Sequence, residues 1–138
     1  MDQIFHDERL TIQVDQTKSI FYWKWSKESA LLTEEEFIDY SKKILGFILQ
    51  HPCENGVENA VEFQFIITPD IQKIIAQQII EKGRGAFKKL AHITSSDFVS
   101  QLSVEQLWKE YSPYNYQERY FSDPEEAMDW ILGRKNDE

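Results

Sequence analysis

Few residues in this chain are of types and spacings that could do chemistry. His6, His51 and His92 stand far apart, and no metal spacing surrounds His92. His92 lies in an apolar run and reads as a core or sheet-face histidine with one hydrogen bond. His51-Pro52-Cys53-Glu54 crowds three ligand types together, but the proline and the loop setting favour a helix end and a turn. Gly83-Arg84-Gly85 follows a helical pattern and precedes a strand pattern, which is the wrong order for cradling a phosphate. The carboxylates Glu34-Glu35-Glu36 and Glu125-Glu126 each open a helix, where the dipole favours negative charge. No catalytic, cofactor-binding or metal motif results, and the chain reads as a non-enzyme.

One constellation remains. Ser95-Ser96-Asp97 follows a strand pattern, and Thr68 and Asp70 sit at the start of the preceding helix. Ligands of open α/β sheets bind outside the C-terminal ends of the strands. These five residues form the candidate rim for a ligand or partner. A plain capped loop is the other reading of the same residues.

The elements that hold this rim follow from periodicity. Leu10, Ile12 and Val14 alternate with polar residues, and residues 19–25 return as a second strand, SIFYWKW. Thr33 and Glu36 form a capping box for a long helix that Pro52 closes. Residues 51–59 read as a polar loop, and residues 61–68, VEFQFIIT, as a central strand buried on both faces. Thr68 then caps a helix with Pro69 at its first position. A strand follows over residues 87–94. Residues 98–102 read as a short helical piece, and Ser103 with Gln106 as the capping box of the next helix. An aromatic strand over residues 116–121 and a helix opened by Asp123-Pro124 and ended by Gly133 complete the order ββαβαβαβα. The expectation is an α/β fold with a mixed five-stranded sheet covered by helices, a single domain over residues 1–133 and a solvated tail over 134–138.

Bulk composition narrows the function classes. A chain of 138 residues suits one domain and can bury roughly 68–70% of its unfolded surface without staples. The single cysteine, Cys53, permits no intramolecular disulfide and fits a reducing cytoplasm. The net charge of −9 repels polyanions, so nucleic acid and anionic membrane are poor partners. No basic stretch followed by an apolar core opens the chain, and no apolar run is long enough to span a bilayer.

The second half carries a pattern. TPDIQ (68–72), LAHIT (90–94), LSVEQ (102–106) and RYFSDPEEAMDWIL (119–132) resemble the SpoIIAA-like, STAS-related domains of bacteria, which share an architecture with the CRAL-TRIO lipid carriers. The resemblance implies a mixed sheet with an N-terminal hairpin, no catalysis, and a protein-interaction or regulatory role. A small-molecule or lipid-binding domain with an apolar ligand is the alternative it implies. Switch-type members carry an Asp-Ser-Ser/Thr-Gly segment after the central strand. Here Thr68-Pro69-Asp70-Ile71 holds that place without a Ser-Gly pair. Finally, Tyr114, Tyr116 and Tyr120 crowd the last strand and mark a candidate homodimer surface.

Overall fold

A computed structural model describes residues 1–111 and 116–134. The fold is α/β. Six strands, β1 (Asp2–His6), β2 (Leu10–Asp15), β3 (Ile20–Trp25), β4 (Asn55–Asn59), β5 (Lys89–Ile93) and β6 (Gln117–Phe121), lie in chain order across one mixed sheet. The first three pair antiparallel, and β3 through β6 pair parallel. The sheet has one strand more than the five expected, because β1 folds back on β2 through a break in register between Gln3 and Phe5.

The parallel strands are joined by α1 (Glu34–Gln50), α2 (Pro69–Ile75) and α3 (Phe98–Tyr111). Three crossovers of one hand that step in one direction fall on one face. Their apolar sides meet Ile12, Phe21, Trp23, Trp25 and Leu90 in the larger core. The last helix, α4 (Pro124–Leu132), covers the other face, where Ile20, Val57, Ala91 and Ile93 meet Ala127 and Ile131.

Local start and stop signals behave as chemistry dictates. Thr33 and Glu36 form the reciprocal capping box of α1. The Asp123 carboxylate accepts from the Glu125 amide at the start of α4, and Gly133 ends that helix at φ 71°, in the left-handed region. The Ser103 box is not formed. Residues 98–102 join the following segment as a single helix capped by Asp97, whose carboxylate accepts from the Ser100 amide at 2.9 Å. The Ser103 hydroxyl instead donates to the Ser100 carbonyl inside that helix. Trp130, on α4, is half-buried against Phe121, with Lys89 and Arg119 over its ring.

The central strand is not where the residue pattern put it. Asn55–Asn59, with the weak strand formers Asn, Gly and Asn, lies between β3 and β5. Its context overrides propensity. Val57 is fully buried, and Gly56 leaves room for the Phe87 ring, which would sit 2.7 Å from a Cβ there. Residues 61–68 form an extended strap instead. Phe63, Phe65 and Ile67 point inward, while Glu62, Gln64 and Ile66 are exposed. With no strand beside it, the strap satisfies its backbone mainly through side chains. The Gln64 amide donates to Ser29 Oγ and the Ile67 amide to Ser103 Oγ. The Phe63 carbonyl accepts from Ser95 Oγ, and the Val61 carbonyl from Ser96.

Candidate functional site

The candidate rim residues serve mostly as structural parts. Ser95 and Ser96 clamp the strap, and Asp97 caps α3. The Ser100 side chain and amide beside it hold the Asp97 carboxyl below its ordinary range. Asp70 is exposed in the first turn of α2. Thr68 has the backbone conformation of a cap, and its carbonyl accepts from the Gln72 amide, but its hydroxyl caps nothing. It points to Glu34 at 3.5 Å. Thr68→Ala should therefore change stability by less than about 0.5 kcal/mol, below the usual cost of a lost capping side chain. A denaturation midpoint lowered by more than that would show a cap bond in solution.

Beside these polar groups lies an apolar patch that periodicity did not single out. Phe98 is 75% exposed at the start of α3, with Val99 and Leu102 exposed on the same first turns. Ile66 is exposed on the strap, whose next residue, Ile67, is tied to α3 by the hydrogen bond from its amide to Ser103 Oγ. Three large exposed apolar residues on the first turns of one helix are the kind of surface that partners cover.

A second constellation is buried. On the helical face of the sheet, Ile12, Trp23, Glu58, His92 and Tyr120 form one row across five strands, each the register partner of the next. His92 is 1% exposed. Its Nδ1 lies 2.8 Å from Glu58 Oε1 and its Nε2 lies 2.7 Å from Glu118 Oε2. Both nitrogens donate, so the ring is an imidazolium. Burial alone would disfavour that charge. The hydrogen bonds to Glu118 and Glu58, with their negative charge, outweigh it and raise the pKa to about 9. Trp108 and Tyr120 hold the ring from its sides, at centroid distances of 5.0 and 4.7 Å.

His92 thus has two hydrogen bonds where one was expected. The sequence hid the second carboxylate because residues 51–59 resemble a loop, and the register that sets Glu58 beside His92 exists only in the sheet. Tyr116 and Tyr120, assigned to a dimer surface, are engaged by the same network. The Tyr116 hydroxyl donates to Glu118 at 3.2 Å, and Tyr120 stacks on His92 at 19° while remaining 37% exposed. Tyr114 lies outside the described residues.

Above this row is a cavity of about 110 Å³ between the sheet and the helices. Its walls include Trp23, Phe87, Leu90, Leu107, Trp108 and Tyr116, and Glu58 is the only charged side chain in its lining among the described residues. Five residues of the helix after α2, Ala76–Ile80, form a π-helical turn that supplies Ile79 and Ile80 to the cavity. Among the described residues no group of three His, Cys, Asp or Glu side chains is arranged to hold a metal ion, and no helix is long and apolar enough to cross a membrane. No protein-family model, curated protein or solved structure matches the chain.

Proposed function

We propose that the chain is a non-catalytic interaction module of SpoIIAA-like type that docks another cytoplasmic protein through the apolar rim around Phe98. The observation that carries this reading is a phenylalanine 75% exposed at the first turn of a helix, with Val99 and Leu102 exposed on the same turns. Burying such a group against a partner releases apolar surface worth about 25 cal/mol per Å². The partner is an apolar segment flanked by basic side chains. The net charge of −9 and the exposed Asp70 and Glu105 near the rim favour that sign.

A photo-reactive phenylalanine analogue tests this. Placed at position 98 of the full chain in its host cell, it should give a discrete cross-linked product. The same analogue at Leu49, an exposed apolar residue on α1, should give none. No product at position 98, or the same product at both, would exclude the rim as the docking surface. The lipid-carrier alternative has less support, since a cavity of about 110 Å³ is below the roughly 300–1,000 Å³ of drug-sized ligand sites. The place of β6 at the end of the sheet favours a second copy as a further partner, since edge strands are ready templates for pairing. Light scattering at micromolar concentration would report a homodimer, and a monomer there removes that second reading.

A further inference from the structure

The cavity between the sheet and the helices is bounded mostly by hydrocarbon and aromatic surface. Phe63, Ile67, Val104 and Leu107 belong to its wall, together with Trp23 and Phe87, whose rings stack at 19°. The hydroxyl and carboxyl groups that reach the wall are engaged within the protein. The Ser41 hydroxyl donates to the Phe37 carbonyl at 2.9 Å, the Tyr116 hydroxyl donates to Glu118 at 3.2 Å, and Glu58 Oε1 accepts from His92. Among the described residues, the one buried side-chain nitrogen or oxygen without a hydrogen bond is Ser100 Oγ, which is not part of this wall. No buried polar atom of the wall therefore waits for a polar ligand. An apolar void stays dry, and the atoms around it forgo the dispersion contacts that close packing would give. One wall is also built irregularly. Ile79 and Ile80 come from the π-helical turn over Ala76–Ile80. Turns of this kind are rare inside helices and are frequent at functional sites.

We propose that this cavity binds one small neutral apolar molecule, an aromatic or branched hydrocarbon of up to about six heavy atoms. The volume sets that limit. The cavity holds about 110 Å³, and an apolar cavity of about 150 Å³ accommodates benzene. A lipid chain is too long for it. Binding restores the missing dispersion contacts and strands no polar group of the ligand. Entry is at the turn over residues 83–86, where Gly83, Gly85 and Ala86 line the cavity and Gly85 is exposed. This turn precedes β5, whereas the Phe98 rim follows it. The two sites therefore lie at opposite ends of the sheet, and each stands or falls alone.

Benzene is the probe, and 1,4-dioxane, a ring with the same number of heavy atoms, is its polar counterpart. Titrated into the ¹⁵N-labelled full chain, benzene should shift the indole N–H signals of Trp23 and Trp108 saturably in the millimolar range and raise the Tm as its concentration rises. 1,4-Dioxane should bind at least about tenfold more weakly, because its oxygens would lose water against hydrocarbon. Ser41→Leu on α1 and Ile80→Phe on the π turn each add apolar bulk to the wall and should abolish the shifts. Ile80→Phe decides the matter if Ser41→Leu does not fold. Absence of saturable shifts with benzene, equal binding of 1,4-dioxane, or benzene binding that survives in a folded Ser41→Leu or Ile80→Phe would each overturn the proposal.

Discussion

Replacing His92 with leucine should cost about 3–5 kcal/mol, the range for removing one partner from a buried ion pair. The loss comes from what is left behind. Glu58 on β4 and Glu118 on β6 would face each other across β5 with no cation between them. The same group predicts a pH dependence in the wild type. Its folded pKa of about 9 stands above the ordinary 6.5, so the native state holds the proton more tightly than the unfolded chain. The stabilisation is therefore complete below pH 6.5 and is lost as the pH rises through 9. At 1.36 kcal/mol per pKa unit it amounts to about 3 kcal/mol. Thermal melts of wild type and His92→Leu between pH 6 and 9.5, about half a unit beyond either pKa, would measure both effects. A wild-type Tm that stays level across that window would show a neutral imidazole.

Phe63→Ala should cost about 3–5 kcal/mol as a large-to-small change in a packed core. Phe63 is 2% exposed and meets Trp25 and Phe37 at ring-centroid distances of 5.4 and 5.9 Å. Ile66→Ala, three residues on, should stay within about 0.5 kcal/mol, because Ile66 points to solvent at 51% exposure. Urea denaturation of the two variants compares them directly. Equal losses would mean that both sides of the strap are buried, as they would be in a central strand.

That comparison isolates what the sequence could and could not convey. The apolar run over residues 61–68 marked an extended segment, but only Phe63, Phe65 and Ile67 are buried, so the expected burial on both faces fails. Periodicity reports burial but not backbone pairing, so it could not distinguish a strap bonded to serines from a strand. The reverse error at Asn55–Asn59 has the same root. Val57 is its one strong strand former, and the rest of its stability comes from neighbours on both sides. Caps were legible where they rest on contiguous residues, as at Thr33, Asp123 and Gly133. Ser103 misled because its hydroxyl bonds a carbonyl behind it and the Ile67 amide instead of capping. The strand before Ser95–Asp97 was legible, since LAHIT is an apolar run ended by turn residues. The Glu58–His92–Glu118 cluster was not, because its members are joined only by register between strands far apart in sequence.

The order of the sheet bears on how the chain comes together during synthesis. Every strand after the first hydrogen-bonds to the one that precedes it in the chain. Each strand after the first therefore leaves the ribosome with its template already made, and only the latest edge waits for a partner encoded downstream. Each addition closes only the loop of its own crossover, and loop-closure entropy rises slowly with length. Assembly can advance from the N-terminal hairpin toward β6 in step with translation, and the growing edge is a single strand wide at every stage.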